Sequence, residues 1–158
     1  MSELHLLLEQ LDQAYDRKSW HGTNLRGSIR GVTADQAAWR PQPGRHNIQE
    51  LVAHAAYWKY TVIRRFTGDK RGSFPLEGSN WFERPRADET LWRADIRLLE
   101  ETHRQLRSVL AGLDPRELTR TPPASKVSNR ALVSGIIAHD LYHAGQIQLL
   151  KRLRQQRV

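Results

Sequence analysis

Asn47-Ile48-Gln49-Glu50-Leu51-Val52-Ala53-His54-Ala55-Ala56-Tyr57-Trp58-Lys59-Tyr60-Thr61-Val62 carries the period that sets the fold class. Ile48, Leu51, Ala55, Trp58 and Val62 recur at three- and four-residue steps. On a helix of about 3.6 residues per turn such steps place them in one apolar stripe. Asn47 is a good N-cap, and Glu50 three residues later matches the pattern of a capping box. The spacing therefore predicts a helix that starts sharply after Asn47 and ends near Gly68.

Three more segments repeat the period. Leu4, Leu7, Leu8, Leu11 and Tyr15 predict a first helix from about Ser2 to Arg30. Trp20-His21-Gly22 bends it, because glycine weakens a helix interior, and Leu25 and Ile29 resume its apolar face. Leu91, Ile96, Leu99, His103, Leu106 and Leu110 predict a helix over roughly Asp88 to Leu113. Ser128 or Asn129 caps a last helix that runs to about Arg154. Thr33 caps a short turn at Ala34 to Trp39, before Pro41, Pro43 and Gly44 break regular structure. The loop from Asp69 to Arg86 carries Phe74, Trp81 and Phe82, and aromatics in a loop pack back onto the domain. No strand-like alternation of useful length is present. The expected architecture is all-α, a four-helix bundle whose long connections permit a crossover.

Composition bounds the rest. A chain of 158 residues suits one domain, residues 1–158, and buries roughly 70% of the surface its unfolded chain exposes. It has no cysteine, so it offers no disulfide framework, thiolate ligand or thiol nucleophile, and a metal would fall to imidazole and oxygen ligands. The net charge of +8 raises nucleic acid as a partner. The basic residues, however, are spread along the chain among acids and apolar residues. Their densest cluster, Lys151, Arg152, Arg154 and Arg157, reads as a solvated last turn that suits the helix dipole. No nucleic-acid-binding motif is present, so neither nucleic acid nor, for want of a long apolar run, a membrane is expected as partner. The first ten residues hold Glu3 and Glu9 and no basic n-region, so a cytoplasmic location is expected.

The strongest chemical signal is His139-Asp140-Leu141-Tyr142-His143. Two histidines four apart share a helix face, about 6 Å apart along the axis, so both imidazoles can reach one ion. Leu132, Ile136, Gln146 and Leu150 lie on or near the same face, so the pair looks inward. His54, which borders the apolar stripe of its helix, is the best third ligand. The alternative is a pair of core histidines bonded to backbone or to Tyr142. In either case Tyr142 and Trp58 are expected in the core. The metalloprotease spacing HExxH is absent.

These motifs make the chain resemble the DinB-like superfamily of metal-dependent four-helix-bundle proteins, including its branch of thiol-dependent S-transferases. The resemblance covers nearly the whole chain. It rests on Trp20-His21-Gly22, on the run from His46 to His54, and on the run from His139 to Ile147. It implies a single divalent metal ion held by His54, His139 and His143, most often zinc or nickel, with iron or manganese as further occupants. It also implies a homodimer.

Three neutral ligands leave the ion's charge largely intact and a position open. Such an ion generates a nucleophile at neutral pH, from water or from a thiol supplied as a low-molecular-weight partner. The expected function is thus a metal-dependent enzyme acting on a small-molecule substrate, either a thiol-dependent S-transferase or a hydrolase. The alternatives are a non-catalytic small-molecule binding or stress-response protein with a structural metal, and, on charge alone, a nucleic-acid binder. Arg26, Arg30, Arg64 and Arg65 are candidates to pair with a thiol's carboxylates. Glu50 either orients His54, binds substrate or completes the capping box. Gln146 is placed to hydrogen-bond in the pocket, and His21 either lines it or packs structurally. Asp140 is expected to bond across to another helix. The loop from Arg71 to Arg84 either lids the site or covers the end of the bundle. His5, His46 and His103 have no evident partners.

Overall fold

A cap begins each helix. The computed structural model describes residues 2–123 and 125–156. Ser2 Oγ accepts the His5 N–H and starts α1, Glu3–Tyr15. Asn24 caps the single turn α2, Leu25–Ser28, and a Thr33–Gln36 capping box starts α3, Ala34–Ala38. Asn47 caps α4, Ile48–Thr67, which closes on Gly68 in the left-handed conformation at φ 77°. Asp88 caps α5, Glu89–Ala111, and Ser128 caps α6, Asn129–Gln155. A 3₁₀ turn, Pro115–Thr119, precedes α6.

Two sequence expectations need correction. The predicted first helix is two helices, broken between Asp16 and Asn24. Nothing from Arg17 to Gly22 offers the core an apolar side chain: Trp20 is fully exposed, and Gly22 takes φ 98°. The Asn24 amide closes the break by donating to the Arg17 carbonyl at 2.9 Å. On α5 the inward aromatic is Trp92, 2% exposed and donating its indole N–H to the Val32 carbonyl at 2.8 Å. Leu91, expected on that face, is 48% exposed. Trp92 lies seven residues before Leu99, two full turns, which aligns it with the buried stripe better than Leu91.

α1, α4, α5 and α6 form the bundle, and no strand occurs among the described residues. α4 packs against α5 and α6, and so does α1. α1 is therefore diagonal to α4, and the long connection carrying α2 and α3 is a crossover. α2 covers α6, and α3 covers α4 and α5. The basic last turn is tied down in part: Lys151 donates to the Ser28 carbonyl and Arg154 pairs with Asp35. Arg157 lies outside the described residues.

The core is split in two. One apolar cluster holds Leu25, Leu51, Ala55, Trp92, Leu99 and Ile147, and the other holds Leu7, Leu11, Val62, Leu106, Val133 and Ile137. Between the residues that α4, α5 and α6 give to the two clusters lie buried polar groups, Lys59, Thr102 with His103, and Asp140 with His143, and Tyr15 of the first cluster borders them. Lys59 and Asp140 form an ion pair at 2.5 Å with both side chains 0% exposed. His103 stacks on Tyr15 at 3.5 Å between ring centroids, and the Lys59 ammonium lies 5.2 Å from the same tyrosine ring.

Burial, helped by the nearby Lys59 and Arg107, pushes the His103 imidazole down to about 2. It stays neutral in the fold while the unfolded chain's histidine takes a proton near pH 6.5. Its contribution to stability is complete above pH 6.5 and is lost as pH falls toward 2. Between pH 6 and 4.5 the loss should run at about 1.4 kcal/mol per pH unit. Urea midpoints measured across that range should fall more steeply for wild type than for His103→Phe, which keeps the stack on Tyr15. Parallel slopes would contradict it.

Candidate metal centre

His54 on α4 and His139 and His143 on α6 meet at the edge of the polar layer. Their ring nitrogens lie within 4.8 Å of one another, with His54 and His143 buried and His139 half-buried. The His139 Nε2 sits 3.1 Å from Nε2 of His54 and 3.0 Å from Nε2 of His143. Nitrogens about 2.0–2.1 Å from one tetrahedral ion stand roughly 3.3 Å apart. The two pairs through His139 are close to that, and all three ligand atoms lie within 4.8 Å.

The outer nitrogens decide what the inner ones present. His54 Nδ1 lies 2.7 Å from the Asn80 carbonyl, which can only accept, so Nδ1 carries the proton. His143 Nδ1 lies 2.6 Å from Gln146 Oε1 and donates in the same way. Both Nε2 atoms therefore turn lone pairs toward His139. A His139 Nε2–H could satisfy only one of them, whereas one cation accepts all three. Oxygen partners on the far nitrogen are the usual means of orienting metal-ligating histidines. Burial keeps the rings neutral, the form that ligates: it pushes His54 down to about 4 and His139 to about 3, and it lowers His143. The donor set fits one divalent ion. The chemistry of three imidazoles does not choose among zinc, nickel, iron and manganese.

The family model of the DinB superfamily matches residues 15–147. The chain belongs to this superfamily. No curated protein and no solved structure matches it. Of the three motifs that carried the resemblance in sequence, this DinB-superfamily chain brings two together at the metal centre. The third, Trp20-His21-Gly22, lies on the exposed loop between α1 and α2. His21 is not among the residues that bond to the histidines or line the cavity beside them.

The loop after α4 does contribute. Trp81 is sandwiched between His46, at 3.5 Å and 5°, and His54, at 3.9 Å and 11°. Asn80, which supplies the carbonyl to His54, takes φ 66°, the only positive φ of a non-glycine among the described residues. Its side-chain oxygen accepts the Trp58 indole N–H at 2.9 Å, which holds that conformation. Phe74 and Phe82 of the same loop pack instead against Tyr57. The loop thus walls the site at residues 80–81 and covers the bundle elsewhere.

Glu50 fills neither predicted role in full. Its backbone N–H is capped by Asn47, but its carboxylate binds Arg40, the Arg84 N–H and His46 Nδ1. Burial pushes this carboxyl up, but Arg40, Arg84 and His46 outweigh it and hold it at about 2. Glu50 positions His46, which supports Trp81, and so reaches His54 only through that stack.

Beside the histidines lies a cavity of about 550 Å³, with His143, Gln146, Trp81 and His46 at one end and Leu150 and Leu153 of α6 among its walls. None of Arg26, Arg30, Arg64 and Arg65 lines it. Arg26 pairs with Glu100, and Arg64 donates to the Asp69 carbonyl. Arg45, not singled out from sequence, lines it instead. Tyr142 is 64% exposed on the rim, and not in the core. Trp58 is half-buried against the site.

Proposed function

We propose that this protein is a metal-dependent enzyme of the S-transferase or hydrolase type. In this reading His54, His139 and His143 hold one divalent ion, zinc or nickel first, and a low-molecular-weight thiol or a water supplies the nucleophile. The observation that carries it is the convergence of two fixed Nε2 lone pairs on a third imidazole, beside a cavity of small-molecule size. The grouping of possible ligands holds three histidines and no carboxylate among the described residues, which leaves coordination positions for a substrate or nucleophile. A bound ion of this kind lowers the pKa of the water or thiol it holds.

The chain's own residues set the stage. Asn80 and Gln146 hold protons on the outer nitrogens of His54 and His143. Trp81 and Trp58 exclude water from one side of the imidazoles. The buried carboxylates of α4 and α6 are engaged: Glu50 by Arg40 and Asp140 by Lys59. Neither is free to act as a general base, so activation of the nucleophile rests on the ion.

The test is turnover. Zinc- or nickel-loaded protein should transfer low-molecular-weight thiols to alkylating acceptors, or hydrolyse esters or amides, in a reaction removed by a chelator and restored by the ion. A loaded protein silent across both panels, with spectroscopy of a cobalt-substituted form showing a fourth protein ligand, would favour the second reading. That reading, a binding protein with a structural ion, draws support from the burial of His54 and His143.

A further inference from the structure

We infer that the cavity beside the histidines takes an amphipathic small molecule whose apolar tail lies along α6 and whose carboxylate head pairs with Arg45. The inference rests on the metal-centre reading for where chemistry would occur, but the binding itself does not need the ion.

The tail follows from the walls. His143, Gln146, Leu150 and Leu153 line the cavity at steps of three and four residues along one face of α6. Ten residues of helix span about 15 Å. The groove is therefore long, and away from the histidines it is floored by leucine. Leu149, 57% exposed, extends the apolar wall to the rim. A rounded polar metabolite would leave these leucines against water, whereas an alkyl chain would cover them.

The head follows from charge. Among the described residues Arg45 is the only lysine or arginine lining the cavity, and no aspartate or glutamate lines it. Neighbouring arginines are neutralised: Arg40 by Glu50 and Arg84 by Asp95. The guanidinium of Arg45 has no such partner among the described residues; its backbone carbonyl accepts from Arg40 and its backbone N–H donates to the Gln42 carbonyl. Its chain neighbour His46, which also lines the cavity, stacks on Trp81, which stacks on His54, so the backbone that carries this cation is anchored at the histidine end of the groove. A planar guanidinium binds a carboxylate through two parallel hydrogen bonds. The ligand's polar head would then lie beside the histidines with its tail pointing toward Leu153.

The experiment uses the full chain with its metal content measured, and follows the fluorescence of Trp39 and Trp81, which line the cavity. Decanoate, decanol and decylammonium share one tail and differ in head charge. Decanoate should bind at least about tenfold more tightly than decanol, and decylammonium weakest of the three. Arg45→Ala, at an exposed position, should bring decanoate down to decanol, and Leu149→Glu should weaken both. The same order in chelator-treated protein supports the inference even if the metal reading fails. Equal binding of decanoate and decanol would overturn it. So would a decanoate preference that survives Arg45→Ala and vanishes on chelation, which would place the carboxylate on the ion. Failure of all three ligands in a chain that sediments as a dimer would show the groove covered by a second copy, and would also overturn it.

Discussion

Asp140→Ala should destabilise the bundle by about 3–5 kcal/mol, the largest loss expected from any single polar substitution here. The Lys59–Asp140 pair joins α4 to α6 with both side chains fully buried. Burial alone pushes Lys59 down and Asp140 up, toward their neutral forms, and each partner's charge works against that shift in the other. Removing the carboxylate leaves a fully buried ammonium without its anion, 5.2 Å from the Tyr15 ring. The double variant Lys59→Met/Asp140→Leu removes both charges and should recover most of the loss, because well-packed apolar pairs equal or exceed buried ion pairs. Urea unfolding of the three proteins measures both effects. A loss below about 1 kcal/mol in Asp140→Ala would show that the pair is effectively solvated.

The position of that pair explains its presence. Lys59 is five residues after His54, and Asp140 follows His139 directly, so the same two helices carry both the ion pair and the metal ligands. Apolar packing tolerates sliding between helices, whereas a single short ion pair in the polar layer admits one register.

Much of this arrangement was legible because it is local. The caps at Asn47 and Ser128, the His139–His143 face and the Gln146 bond to His143 all follow from steps of three or four residues along one helix. That Asp140 bonds across to another helix was also legible, since adjacent helical residues diverge. Its partner was not, because Lys59 lies among Tyr57, Trp58 and Tyr60 and a lysine there reads as solvated. The Asn80 carbonyl left no sequence signal, since every residue carries one. The bond between His46 and Glu50 is an i, i+4 pair, but the same glutamate also fits the third position of a capping box, and the sequence does not separate the two roles. Tyr142 and Leu91 went wrong for one reason: each adjoins a truly buried residue, and one step along a helix turns a side chain by about 100°.

His139→Ala should abolish metal uptake while leaving the fold intact. Wild type supplied with zinc or nickel should carry close to one ion per chain by elemental analysis, and the variant none. His139 is the most informative of the three ligands to remove. Its Nε2 is the point on which the other two converge, yet its Nδ1 has no hydrogen-bond partner and its side chain is only half-buried. His54 and His143 are each tied by their outer nitrogen to Asn80 and Gln146, so their loss would disturb the loop or α6 as well as the ion. Without metal, His139→Ala should therefore unfold within about 1 kcal/mol of wild type. With the ion at a hundredfold excess over its dissociation constant, wild type should gain about 2.7 kcal/mol and the variant nothing. A variant that loses stability without metal, and shows no difference in uptake, would make the cluster a structural knot of histidines. A variant that folds normally and fails only to bind the ion would establish the metal centre.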